Sequence, residues 1–215
     1  MTVATDAFAQ LQADLAEGGV EAVLARLADQ LKAQGKLHEL FEARKMQIRH
    51  QLGLPPLYGD EEDDLEPDQR ENLEDGLIDA CREVGLLMLH AGQVRDGWMY
   101  LRAVGEKKMV ADLLDAVEVD DDNVEEIIEV ALSEGVAPAL GYQLVLDHYG
   151  TCNAITTYES QVAQLNNSAR QQAAGLLVRH LHNELVATVK ADISQQEAAE
   201  PPAATLKDLV ADRVR

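Results

Sequence analysis

Two segments of this chain carry side chains whose types and spacing could do chemistry. The first is acidic. Asp60, Glu62, Asp64, Glu66, Asp68 and Glu71 fall at positions 1, 3, 5, 7, 9 and 12 of a calcium-loop frame between two helical stretches, which would place oxygen ligands around a hard cation. The sixth position is Leu65 rather than glycine, and Pro67 follows. Both oppose the sharp turn such a loop needs, so a solvated acidic loop without metal is expected. The second segment is His148-Tyr149-Gly150-Thr151-Cys152-Asn153. A cysteine near a histidine and near a helix start could be a thiolate nucleophile. No third residue orients the histidine, and Gly150 between capping Thr151 and Asn153 accounts for the string as a turn. His148 and Tyr149 are therefore read as ligand contacts and not as catalysts. His180 and His182 are two apart on a helix, nearly on opposite faces, and cannot share a metal. Phosphate-binding glycine loops, zinc-type spacings and a serine elbow are absent from the sequence, so neither cofactor nor catalysis is expected.

Composition narrows the class. The chain has 215 residues, 47% hydrophobic and only 4% aromatic. A chain of this length buries roughly 70% of its unfolded surface. Its apolar content is mostly Ala, Leu and Val, which suits packed helices, and runs of period two are few, so strands are not expected. The net charge of −21 repels phosphate backbones and anionic membranes. It keeps copies apart in solution and would attract a basic protein partner. Two cysteines make no disulfide framework and fit a reducing compartment. The N-terminal residues lack a signal-peptide pattern, and no run has the length needed to span a bilayer. A cytoplasmic protein is expected.

The elements that must position these residues are helices. Residues 4–16 form the first, with Thr5 or Asp6 as N-cap and Gly18–Gly19 as the stop. Residues 20–34 follow, with Val20, Leu24, Leu27, Ala28 and Leu31 on one face, and Gly35 ends them. Residues 36–52 turn Leu37, Leu40, Phe41 and Ile48 inward, and Pro55–Pro56 prevents continuation. After an acidic linker at 53–66, Pro67 opens a long helix to residue 90. Helices at 94–103, 106–117, 123–134, 137–149, 152–165 and 169–192 complete a body spanning 67–196. Asp120 to Asp122 favour the start of the helix at 123–134. A Pro/Ala linker at 197–204 precedes a further amphipathic stretch at 205–215, carrying Leu206, Leu209, Val210 and Val214. That stripe must dock back on the body, pair with a second copy in a homodimer, or meet a domain beyond Arg215. The last is favoured, which would make the chain a fragment of a longer protein.

One hairpin stands out. Cys81, Val84, Gly85 and Met88 share a helical stripe, Gly92 breaks it, and Gly97 and Leu101 continue it on a second helix. Gly85 and Gly97 remove side chains where the two helices would cross. Residues 24–41 repeat the arrangement through Leu24, Leu27, Ala28 and Leu31, the turn at Gly35, then Leu37, Leu40 and Phe41. Arg44 stands where a large apolar residue is due. This pattern resembles the tetratricopeptide repeat, and about half the chain shares in it. The alternative is a non-repeating helical bundle.

The resemblance implies an all-α fold, an α-α superhelix of stacked helical hairpins whose concave face holds a peptide or partner helix. Carried over residue by residue, it implies partner contacts at Asp79, Arg82, Leu86, Leu89 and His90. Arg82 alone is a cation there, where the carboxylate-clamping members of the family use Lys and Asn, so capture of a C-terminal carboxylate is not implied. Of Trp98 and Tyr100, one is expected in the core and the other exposed as a partner anchor, and Trp98 is taken as the contact. The expected function is a non-catalytic protein-interaction scaffold. The second reading is a small-molecule or regulatory binding domain with a cleft near His148.

Overall fold

A computed structural model describes residues 2–57, 65–199, 201 and 205–211, with side chains from residue 8 onward. The acidic run at 60–64 and Val214 lie outside the described residues. Every regular element described is helical, and the chain divides into two compact units, 1–118 and 119–215. The body expected at 67–196 is thus shared between them.

The first unit holds α1 (Thr2–Ala33), α2 (Leu37–Gln51), α3 (Pro67–His90), α4 (Val94–Val104) and α5 (Lys107–Leu114). Helix α1 already begins at Thr2, ahead of the expected cap at Thr5 or Asp6. It is not straight. Gly19 sits at φ 71°, ψ −166°, a conformation that essentially only glycine adopts. Arg26 Nε donates to Asp14 Oδ2 at 2.7 Å, twelve residues away, whereas twelve residues of straight helix would span about 18 Å. The stop expected at Gly18–Gly19 is therefore a sharp corner without a loop.

The α1–α2 and α3–α4 turns are built alike. Gly35 and Gly92 have φ 67° and 79°. The next residues, Lys36 and Gln93, sit at φ −84°, ψ 73° and φ −84°, ψ 74°. Their amides donate to Leu31 O and Met88 O at 3.0 and 2.9 Å. Helix α2 also packs on α3, and Ala28, Leu37, Leu40, Ala43, Val84 and Met88 form one core drawn from both hairpins. Leu24 joins the buried residues and Leu27 and Leu31 are half-buried, but Val20, expected inward, is 40% exposed. It follows directly on the Gly19 corner, where the helix has only begun to meet its neighbour.

Gly85 and Gly97 pack against each other where α3 crosses α4. A Cβ on Gly85 would lie 2.6 Å from Leu101 Cγ and 2.9 Å from Gly97 O, and one on Gly97 would lie 3.0 Å from Gly85 O. At the other crossing Arg44 departs from the apolar pattern for a visible reason. Its Nε donates to Glu83 Oε2 at 2.8 Å, and Lys32 Nζ donates to Glu83 Oε1 at 3.0 Å. One carboxylate thereby ties α1, α2 and α3.

Hydrogen bonding from Arg44 is the main cause holding the Glu83 carboxyl below its usual range. A lowered folded value means the bridge is fully stabilising above the ordinary carboxylate pKa of about 4.3 and is lost as pH falls through the lowered value. Glu83→Gln should cost about 1 kcal/mol at pH 7, less than the roughly 1.5–3 kcal/mol of a buried charged hydrogen bond because the side chain is partly solvated. Urea melts of both proteins at pH 7 and pH 3 check this. The difference should shrink at pH 3, and an undiminished difference would contradict it.

The second unit holds α6 (Val124–Ile128), α7 (Pro138–Ser160), α8 (Asn167–Glu197) and α9 (Leu206–Ala211). Asp120 Oδ1 accepts from the amides of Asp122 and Asn123 ahead of α6. The helix expected to 134 widens into a π-turn at Glu129–Ser133. Gly141 of α7 fits closely against that turn, since a Cβ there would stand 2.8 Å from Leu132 N. Gly150, at φ 74°, ψ 177°, makes a second loopless corner inside α7. Across it Tyr142 OH donates to Ala154 O at 3.0 Å, and the Tyr142 and Tyr158 rings meet edge-on at 6.0 Å. Tyr142, Val145, Leu146, Ala154, Val162 and Ala173 make the core. Asn166 caps α8 by accepting from Ala169 N at 3.0 Å. Helix α9 packs on α8 with Leu209 fully buried, so part of the last apolar stripe docks on the body, while Val210 stays 41% exposed.

Candidate functional site

Helix α3 places Asp79, Arg82, Leu86 and His90 along one stripe by their spacing. Asp79 and His90 are exposed, and Arg82 and Leu86 are half-buried. Arg82 is held from two sides, by Asp79 Oδ1 at 2.5 Å and by Glu106 Oε1 at 3.0 Å. Those two carboxylates, Glu106 first, raise the affinity of its guanidinium for the proton. His90 Nδ1 lies 2.7 Å from Leu86 O, which anchors the imidazole at the helix end. The stripe can offer a cation, an apolar side chain and an imidazole to an approaching chain.

Two expected members do not join it. Leu89 is buried and lies where a side chain on Gly97 would go, 3.0 Å from its Cβ position. The small residue that lets the helices approach also turns Leu89 into the core. Trp98 is only 5% exposed, with Lys107 Nζ 5.9 Å from its ring centroid. It is a packing residue and not a surface anchor. Its indole Nε1 has no hydrogen-bond partner among the described residues. The half-exposed aromatic is Tyr100, which touches Phe41 at 4.9 Å between centroids and shares a 2.9 Å hydrogen bond with His38 Nδ1. Burial first, then the Glu42 carboxylate, push its phenol up. Burial likewise pushes the Cys81 thiol up, which opposes thiolate chemistry.

In the second unit His148 and Tyr149 are exposed just before the Gly150 corner. Desolvation, followed by the Glu125 carboxylate, pushes the Tyr149 phenol up. Asn153 Nδ2 donates to Tyr149 O at 2.8 Å and buttresses the corner. Thr151 does something the sequence did not suggest: its hydroxyl donates to Glu184 Oε2 on α8 at 2.6 Å. Glu184 Oε1 also lies 3.3 Å from His180 Nε2. His180 is half-buried, its Nε2 without a hydrogen-bond partner among the described residues, while His182 is exposed. Surface cavities are lined by Glu21, Leu24 and His50, by Leu65, Arg70 and Glu74, and by Tyr158, Arg170 and Ala174. None of these three includes His148.

No described helix is long and apolar enough to cross a membrane. Comparison with protein-family models, with curated proteins and with solved structures gave no match.

Proposed function

We propose that the chain is a non-catalytic protein-interaction scaffold that binds a peptide or partner helix on its first unit. The observation that carries this reading is the pair of hairpins with the same glycine turn, joined through α2 and α3 over one core. Stacked hairpins, on the tetratricopeptide resemblance, form a superhelix with a binding face. The stripe Asp79, Arg82, Leu86 and His90 supplies that face. Acidic neighbours such as Asp75 and Glu74 favour a basic partner. Two free cysteines suit a cytoplasmic setting. Immobilised chain exposed to lysate tests the reading. It predicts enrichment of a protein over an unrelated chain of equal negative charge, and equal capture by both would contradict it.

The second reading, a domain that binds a small molecule near His148, rests on the Tyr149–Glu125 and Thr151–Glu184–His180 contacts around the Gly150 corner. A thermal-shift screen with metabolites and metals separates the two, because only the second predicts a raised Tm.

A further inference from the structure

Next to the Gly19 corner, α1 and α2 leave a cavity of about 220 Å³ between them. Glu21, Leu24 and Ala25 line it from α1, and Gln47, His50 and Gln51 line it from α2. Each helix contributes residues three and four apart, which share one face. Leu24 is buried and supplies an apolar wall. Ala25 is small enough to leave the space open.

The polar groups of this cavity are not used within the chain. The side chains of Glu21, His50 and Gln51 have no hydrogen-bond or ion-pair partner among the described residues. Gln47 accepts from Arg44 Nη1 at 2.8 Å through its Oε1, which leaves its amide nitrogen. Glu21 is the carboxylate of the cavity, and neither lysine nor arginine lines it. The cations that flank it in sequence are already engaged. Asp14 holds Arg26, Glu83 holds Lys32 and Arg44, Glu42 holds Lys45, and Arg49 donates to Pro55 O. The cavity therefore suits a positively charged donor with an apolar stem.

Pockets for drug-sized molecules occupy about 300–1,000 Å³, so this one takes a single side chain in preference to a metabolite. Arginine meets the chemistry better than lysine. Its planar guanidinium presents a fork of N–H donors that matches a carboxylate such as Glu21. The Gln51 amide oxygen is a further acceptor, and the methylene stem suits the Leu24 and Ala25 wall. The place in the fold suits a partner too. Ala25 stands ten residues before its turn glycine, Gly35, as Arg82 stands before Gly92, and the two turns are built alike. Ala25 thus holds the α1 position that Arg82 holds in the α3 stripe. We infer that this cavity takes an arginine side chain of the partner protein, an inference that rests on the scaffold reading above.

NMR of the isotope-labelled full chain, titrated with N-acetyl-arginine amide, tests this. One counterpart is N-acetyl-citrulline amide, which keeps the planar shape without the charge. The other is N-acetyl-lysine amide, which keeps the charge without the fork. Saturable shifts are expected at Leu24, Ala25, Gln47 and Gln51. The arginine amide should bind about tenfold more tightly than the citrulline amide, and more tightly than the lysine amide. Glu21→Gln should weaken it about tenfold, and Ala25→Leu should abolish binding by filling the space. Both residues are exposed, and unchanged thermal melts show that folding is kept. Absence of saturable shifts at these residues, equal or tighter binding of either counterpart, or indifference to Glu21→Gln would each overturn the inference. The scaffold reading can fail separately. Lysate capture that persists while the arginine amide leaves the cavity untouched removes this inference alone. Amide binding by a chain that captures no protein overturns the scaffold, and the partner's arginine with it.

Discussion

Gly150→Ala should destabilise the second unit by about 1–3 kcal/mol, although the new methyl would touch nothing. No atom lies within 4 Å of the Cβ position at Gly150, so the cost is conformational. At φ 74°, ψ 177° a Cβ collides with its own backbone, and such strain costs on the order of 1–3 kcal/mol. The helix can relieve it only by opening the corner. Opening would pull Tyr142 from Ala154 and from Tyr158, and those contacts hold the core together. Gly19→Ala should act in the same way on α1, where the Asp14–Arg26 bridge spans the corner. Gly175→Ala is the control. Gly175 lies within α8, also with nothing near its Cβ position and without a positive φ, so alanine should stabilise by about 0.5–1 kcal/mol. Thermal melts of the three variants separate these cases. Equal effects at Gly150 and Gly175 would contradict the corner.

The crossing of α3 and α4 should respond to volume. Gly97→Leu is expected to cost about 1–3 kcal/mol by overpacking. Gly85 is the less forgiving of the pair. A Cβ there would stand 2.9 Å from the Gly97 carbonyl as well as 2.6 Å from Leu101. Leu101 can change rotamer, whereas a backbone oxygen moves only with its helix. Even Gly85→Ala should therefore lower stability, reversing the gain alanine gives in an open helix. Urea unfolding measures both, and an unchanged midpoint for Gly97→Leu would reject the packing.

Much of this architecture is legible in the sequence because helices announce themselves locally. Apolar side chains recur at helical spacing, and Gly35, Gly92 and Pro67 mark the ends. The Gly85–Gly97 contact follows from the same spacing. What spacing does not carry is the direction from which a neighbour arrives. Leu89 and Leu86 sit three apart on α3, yet one fills the space beside Gly97 and the other remains half-exposed. Trp98 and Tyr100 are likewise indistinguishable by spacing, and it is the fold that buries Trp98 and leaves Tyr100 half-exposed. Arg44 breaks an apolar pattern in the sequence, and only the fold brings it to Glu83, thirty-nine residues away. The π-turn at Glu129–Ser133 leaves no compositional trace, since any helical residues can widen a turn. Gly141 packs closely against it, a tertiary contact that spacing does not carry.

Binding at the α3 face is the claim on which the functional account depends. The direct measurement is quantitative capture from lysate by the full chain and by the double variant Arg82→Ser, Leu86→Ser. The ion pairs of Arg82 with Asp79 and Glu106 are partly exposed, so its loss should cost little stability. Matching melts would establish that both proteins are folded. The account predicts that a protein enriched by the wild-type chain is lost with the double variant. Retention of the same protein at the same level by the variant, or no enrichment by either, would contradict it.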